Sequence, residues 1–463
     1  MIKRLLPLLL VIPALLSCEE KENPDAVVDS AWSGSDYDAA APQIRHGNTV
    51  LANSELSEAF LTGVEYSDWP TETTHESKVF DYYGGFRGTD LNWDNWQTDW
   101  PDGDKPNTYS IRWGKDADAG DLTLNLSDNT GWTYEKSLKA GVCFVDITNL
   151  VPNAEYKYEV VSETNKIMAK GRFKTKGSVH QVFFSTKCRN ARDLGGWKTE
   201  SGKTVKFHRI YRGGRMNDPW EVMLDKAGKA EVLAEGIGAE LELRGSDDYM
   251  TKPAVSGLDH CHPCIEEGGK VMLGVTKPSK KNCAKWLVFD ASSPWTDEQK
   301  APYLTNGKIN KDKIGEINPT QAEYDAFQAA YKAKTAECFM FVYNSVKAGK
   351  GVYFHCSLGR DRTGTMSILL MGLLGVPEHD IAREYELTYF APVGFSVSSS
   401  DKGTNPEPIF NNTRAHWVYS DVVPYFWQEA GSGSFASGVR KYLVEEAGVQ
   451  QSVIDDFLSI MLQ

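Results

Sequence analysis

Positive charge is scarce in this chain: 50 lysines and arginines stand against 63 aspartates and glutamates over 463 residues, giving a net charge of −13 and a pI near 5.3. A nucleic-acid binder needs a basic face, so that class of partner is excluded. An anionic substrate would have to be drawn in by arginines gathered at one place. A membrane-spanning apolar run is also missing, since Leu5 to Leu16 is shorter than the ~20 residues that cross a bilayer. Zinc-type cysteine spacing is incomplete. His260-Cys261-His262-Pro263-Cys264, with Cys283 downstream, offers a single Cys-x2-Cys without a matching second pair and with a proline between the thiols. A loop staple or free thiols is the better reading, and no metal or cofactor is expected. What remains is ordinary globular composition, 41% hydrophobic and 24% charged, in a chain too long for one core. Two or three domains are expected.

Lys3 and Arg4 precede the short apolar run, as in a targeting segment. The run ends in Leu15-Leu16-Ser17-Cys18, which resembles a bacterial lipobox. That resemblance implies a signal peptide over residues 1–17, cleavage before Cys18 and a lipid on Cys18 as the only membrane contact. Glu19-Glu20-Lys21-Glu22 is similar to the acidic surface-export signal of some bacterial lipoproteins. The mature chain is then expected outside the cytoplasm, where disulfides are permitted but their pairing cannot be read from spacing. Residues 18–75, rich in Ala, Ser, Asp and Glu, read as a tether and a lead-in of little periodicity.

From 76 to 177 the pattern is β. Tyr109, Ile111 and Trp113 alternate with polar neighbours, as do Leu122, Leu124 and Leu126, and then Tyr156, Tyr158 and Val160. Leu150-Val-Pro152-Asn-Ala-Glu-Tyr156 resembles the tyrosine corner of fibronectin type III domains. It implies an all-β immunoglobulin-like or fibronectin III-like sandwich. The tryptophan-rich stretch Asn92–Trp100 could contact carbohydrate or protein, with loop-packing tryptophans an equal reading. Trp100-Pro101-Asp102 is read as a turn, because it precedes the catalytic region.

Residues 178–463 alternate strand and helix signals, with a long polar insertion over 245–316 and a helix expected near 219–235. This predicts an α/β domain whose central, mainly parallel sheet is flanked by helices. Its focus is Gly351-Val-Tyr-Phe-His355-Cys356-Ser357-Leu358-Gly359-Arg360-Asp361-Arg362-Thr363-Gly364. A buried strand, a tight loop and a helix N-terminus in that order make an anion cradle. A nucleophilic thiol needs a depressed pKa, which loop amides, a helix terminus and a guanidinium separated from it by five residues would supply. Arg362 can grip two phosphoryl oxygens, and Thr363 can offer its hydroxyl to the sulfur.

The run resembles the His-Cys-x5-Arg-Thr signature of the protein-tyrosine phosphatase superfamily. With Arg192-Asp193-Leu-Gly-Gly, Tyr211-Arg212-Gly-Gly and Leu243-Arg244 ahead of it, the order is that of the atypical bacterial tyrosine phosphatases, which carry an aspartate in the phosphate loop. Arg360 stands where that family usually has Lys, Glu242 where Asp is common, and Gly213 where Ser is frequent. The resemblance implies a phosphatase with Cys356 as nucleophile, Arg362 and residues 357–363 holding phosphate, and His355 orienting the loop. Asp361 is the expected proton donor, a salt-bridging role being its rival; Glu242, Asp290 and Asp297 are further candidates. Arg192 and Asp193 are expected to brace the loop, while Arg212 and Arg244 are equally readable as surface pairs. The substrate is then a phosphorylated protein or a phosphoinositide. A surface-binding protein on a non-catalytic phosphatase fold is the alternative of another class.

Overall fold

The computed structural model describes residues 41–63, 104–116, 118–245, 248–263, 280–310, 312–390 and 422–463. Cys18, the Asn92–Trp100 stretch, the Trp100-Pro101-Asp102 turn and Cys264 lie outside them.

The N-terminal elements are β1 (Thr49–Leu51), α1 (Glu55–Gly63), β2 (Tyr109–Arg112), β3 (Leu122–Asp128), β4 (Thr133–Leu138), β5 (Phe144–Ile147), β6 (Glu155–Ser162) and β7 (Ile167–Lys176). Five strands form one sheet in the order β1-β7-β6-β3-β4, and β2 pairs with β5 separately. Period-two alternation decides which side chains turn inward. Leu122, Leu124, Leu126, Tyr156, Tyr158 and Val160 join Ile111, Trp113, Val145 and Ile147 in one core. The Val151 backbone N–H donates to the Tyr156 phenol oxygen at 2.7 Å, holding the turn ahead of β6.

Part of the expected lead-in is ordered. β1 pairs in parallel with β7, and α1 buries Leu56, Phe60 and Leu61 in the core of the following region. Three strand residues and nine helical ones are too few to show a period, and their partners lie far along the chain.

The second region contains β8 (Arg192–Asp193), β9 (Ile210–Gly213), α2 (Lys226–Ala234), β10 (Ile237–Glu242), β11 (Asp259–Cys261), α3 (Lys280–Phe289), the hairpin β12 (Leu304–Thr305) and β13 (Lys308–Ile309), α4 (Gln321–Lys347), β14 (Gly351–His355), α5 (Asp361–Leu374), α6 (Glu378–Glu386), α7 (Val423–Ala430), α8 (Phe435–Lys441) and α9 (Gln451–Met461). The sheet runs β11-β10-β14-β9-β8. Its first four strands are parallel and β8 is antiparallel at the edge. This is a mixed α/β architecture with β14 at its centre.

Two sequence expectations change. The helix near 219–235 starts only at Lys226, capped by Asp225, whose side chain accepts from the Gly228 N–H. Pro219 and the Asp218 side chain favour a turn upstream. The insertion at 245–316 is not wholly polar, because α3 buries Cys283, Ala284, Trp286 and Leu287 in the main core. Its apolar face is hidden in sequence by Lys280, Lys281, Asn282 and Lys285.

The two sheets meet along a polar seam. Trp132 Nε1 donates to the Ala234 carbonyl at 3.0 Å, Tyr134 donates to Glu231 at 3.0 Å, and the Trp132 ring stacks on His208. Gln181 joins α1 to this region by accepting from the Ser54 N–H at 2.7 Å, and it donates to Asp104 at 2.7 Å.

Candidate active site

β14 is buried at all five residues and delivers Cys356 to the top of the sheet. The chain then turns through 357–360 into α5, whose Arg362–Leu374 stretch is buried. Arg360 occupies the N-cap position without a side-chain cap, so the first-turn N–H groups are left to face a ligand.

The turn depends on Gly359. Its φ is +68°, and a Cβ there would fall 2.4 Å from the Gly213 carbonyl group. Gly213 is itself constrained, since a Cβ on it would meet the Tyr353 hydroxyl at 2.0 Å. That hydroxyl donates to the Gly214 carbonyl at 2.8 Å. Tyr353 on β14 thus leaves no space for the serine frequent at position 213.

Side chains grip the outward carbonyls of the loop. Asn190 Nδ2 donates to Leu358 and Gly359 at 3.1 and 3.0 Å. Arg212 Nη2 donates to the Gly359 carbonyl at 2.6 Å. Arg215 donates its backbone N–H to the Ser357 carbonyl at 3.2 Å and Nη1 to Ser357 Oγ at 3.0 Å. With the carbonyls held outside, the amides are left for an anion.

The electrostatics single out one thiol. Burial drives the thiols of Cys188, Cys261 and Cys283 up to about 12. Burial pushes Cys356 up as well, but the Arg362 guanidinium, the Thr363 hydroxyl and the Thr363 N–H outweigh it, and the thiol ends below its ordinary range. Among the described residues the buried Thr363 hydroxyl has no hydrogen-bond partner, so it is available to the sulfur. Arg362 is aimed by donating Nη1 to the Leu243 carbonyl at 2.9 Å.

Behind Cys356 lies a buried charge network. His355 Nε2 is 2.9 Å from Glu240 Oε1 and 3.8 Å from Glu242 Oε2. Burial works against the imidazolium, yet Glu242 and Glu240 hold its pKa above the ordinary value. Arg244 clamps Glu242 through its N–H, Nε and Nη2. A second network holds the loop's flank. Arg192 donates Nε to Glu384 Oε1 at 2.7 Å, and Arg212 lies 3.6 Å from the same carboxylate. Arg192 and Arg212 both reach the Thr388 hydroxyl.

Several sequence expectations are thereby placed. Cys356, Ser357, Leu358, Gly359, Arg360, Asp361, Arg362 and Thr363 form one loop and helix start, with His355 beneath. Arg192 and Arg212 are buried, as is Arg244, so none is a surface pair. Asp193 does not reach the phosphate loop. It accepts from the Gly195 and His208 N–H groups and faces His180 at 3.2 Å, bracing a different turn. Asp361 Oδ1 and Oδ2 face Arg360 at 3.1 and 3.3 Å.

Glu242 is unsuited to donating a proton. Burial raises its pKa, but His355 and Arg244 pull it below the ordinary value. Asp290 is engaged by Lys334 and Ser292, and Asp297 lies in the first turn of a short helix capped by Thr296. Cys261 meets Glu337 and Cys283 meets the Glu323 carbonyl, so these thiols have different neighbours.

Asn190, Arg215, Glu240, Glu384 and Thr388 escaped the sequence reading. Asn190 alone left a signal, as an asparagine two positions before Arg192, a residue type that tolerates the left-handed φ of +62° it adopts. Two buried trios, Glu240-Glu242-His355 and His180-Asp193-His208, bring ligand-type atoms within 4.8 Å of one another. Glu240 and Glu242 bond His355, Ala254 and Arg244, His180 bonds Asp193 and Asn149, Asp193 also bonds Gly195, and the His208 ring bonds the Tyr211 hydroxyl through Nδ1.

Residues 185–463 match the family model described as the tyrosine phosphatase family. A Cupriavidus necator protein named "Putative tyrosine-protein phosphatase" is 25% identical over 213 residues. That match covers 44% of this chain and 62% of the relative's length.

Proposed function

The chain belongs to the tyrosine phosphatase family, and from that premise we propose that it is an exported, cysteine-dependent phosphatase acting on phosphate monoesters of the phosphotyrosine or dual-specificity type. The observation that carries this reading is geometric: β14 delivers Cys356 into a loop that Gly359 turns at φ +68°, and α5 begins there with Arg362 held by the Leu243 carbonyl.

The Cys356 thiolate attacks phosphorus in line with the ester oxygen. The S–P bond forms as the P–O bond breaks, and the leaving oxygen takes a proton. Arg362 and the loop amides carry the charge of the three equatorial oxygens. Water then attacks the cysteinyl-phosphate, releasing inorganic phosphate and restoring the thiolate. Asp361 is the proposed donor, and the oxyanion's arrival at Arg360 would release it from that pairing. A phosphoinositide or inositol phosphate is the second substrate reading, favoured by Arg360 and Arg215 flanking the loop.

The N-terminal β region is proposed as a fibronectin III-like sandwich, supported by the Val151–Tyr156 hydrogen bond, with carbohydrate or protein as its ligand. Export with a lipid at Cys18 is proposed from the N-terminal sequence.

The test is phosphate release from phosphotyrosine peptide, phosphoserine peptide and phosphoinositide by wild type, Cys356→Ser and Asp361→Asn. Asp361→Asn should slow phosphoserine release far more than release of an acidic aryl leaving group. No release by folded wild type across the panel would leave the non-catalytic, ligand-binding alternative standing.

A further inference from the structure

Residues 215–224 join β9 to α2 without regular structure, and they place large apolar side chains in water. Trp220 is 86% exposed and Val222 72%, the two most exposed large hydrophobic side chains among the described residues. Their loop is tied to the phosphate loop. Arg215 bonds Ser357 through both backbone and side chain, and its Nε meets Asp218 at 3.1 Å. The Asp218 side chain in turn accepts from the Trp220 N–H at 2.9 Å.

The loop's base is equally fixed. Arg244 donates to the Asn217 carbonyl at 3.2 Å, Asn217 donates to the Tyr249 carbonyl at 3.2 Å, and Met216, Met223 and Leu224 are buried. A pre-organised aromatic gives contact area at low entropy cost, which is what a recognition tip requires.

We propose that Trp220 and Val222 form a docking tip for a protein substrate, taking an apolar side chain near the phosphorylated residue of an extended peptide. This rests on the reading of the phosphate loop as catalytic. Trp220 follows Arg215 by five residue steps, at most ~17 Å of chain, and the Asp218 contact shortens the span. A strand-like peptide rises ~3.3 Å per residue, so the tip reaches positions two to four from the phosphoresidue. An anionic lipid surface is recognised by clusters of Lys and Arg, and the tip presents no such cluster: Arg215 is paired with Asp218 and Lys187 with Glu221, in a chain that carries −13.

The test uses the full chain as wild type and as the Trp220→Ala/Val222→Ala double variant. The substrates are p-nitrophenyl phosphate and two nine-residue phosphotyrosine peptides, one with leucines and one with serines at positions two to four on either side. The double variant should lose about tenfold in kcat/KM on the leucine peptide, through KM. It should stay within about twofold on p-nitrophenyl phosphate, which also reports folding, and match wild type on the serine peptide. An equal loss on all three substrates, or none on the leucine peptide, overturns the proposal. So does flotation with phosphatidylserine vesicles that wild type shows and the variant loses. Anisotropy of the labelled leucine peptide on Cys356→Ser reads docking without turnover. Tip-dependent binding there with inactive wild type would sink the phosphatase reading while sustaining the tip, and tip-independent binding would overturn the tip.

Discussion

Cys188 and Cys356 are buried to the same degree, 1% and 2% exposed, and they have opposite chemistry. Cys188 lies below the loop, its sulfur 3.6 Å from the Tyr353 hydroxyl, and burial pushes its thiol up to about 12. Cys356 lies one turn from a helix start, with Arg362 and Thr363 turned toward it. Burial alone therefore makes an inert thiol. Reactivity comes from the few charged and polar groups that a strand, loop and helix bring around one sulfur.

The widest break in that comparison is Cys356→Ser, which should cut p-nitrophenyl phosphate turnover by on the order of 10⁴-fold or more, while thermal unfolding stays near wild type. Undiminished turnover would remove Cys356 from the chemistry.

Arg212→Met comes next. It strips a buried partner from Glu384 and frees the Gly359 carbonyl, so a loss of about 3–5 kcal/mol in urea unfolding is expected. A midpoint unchanged from wild type would mean that Arg192 neutralises Glu384 by itself.

The seam sharpens the contrast, because its charges join two sheets instead of tuning a nucleophile. His208 lies 3.5 Å from Asp128 and 3.6 Å from Glu235. Burial lowers its pKa, but hydrogen bonding to Asp128 and Glu235 raises it from 6.5 to about 9. A folded-state pKa above the unfolded one gives stability that is full below about 6.5 and fades as pH rises through about 9. The loss should reach roughly 3 kcal/mol by high pH, and His208→Gln should flatten the dependence. An identical pH profile in the variant would refute the assignment.

The smallest effect concerns Thr363. Thr363→Ala removes one hydrogen bond to the sulfur, so alkylation of Cys356 by iodoacetamide at pH 7 should slow roughly three- to tenfold. Cys188 should remain unlabelled in both proteins. Equal labelling of Cys356 with and without the hydroxyl would leave Arg362 as the main stabiliser.

The segment from Cys356 to Thr363 was readable because its information is local. Strand, loop and helix start are consecutive, and Gly359 and the Cys-x5-Arg spacing meet within a single turn. The β region was readable by period two. The loop's supports were less so, since Arg192 meets Glu384, Arg212 meets Gly359 and His355 meets Glu240 across more than a hundred residues each. No spacing rule connects such partners. Asp193 shows the same limit in reverse: it adjoins Arg192 in sequence, but alternation along the β8 edge turns it to the other side.

By itself the sequence singled out Cys356 as the proposed nucleophile, Arg362 as the proposed phosphate-gripping arginine and the alternation of elements that makes an α/β sheet, because these follow from neighbours along the chain. Only the tertiary structure decided how Cys188 and Cys356 differ in their surroundings, that Glu242 is committed to Arg244 and His355 and so unfit to donate a proton, and that β1 and α1 join regions read as separate. Those outcomes depend on desolvation and charge summed over groups brought together by folding, and such sums do not exist until the chain has closed on itself.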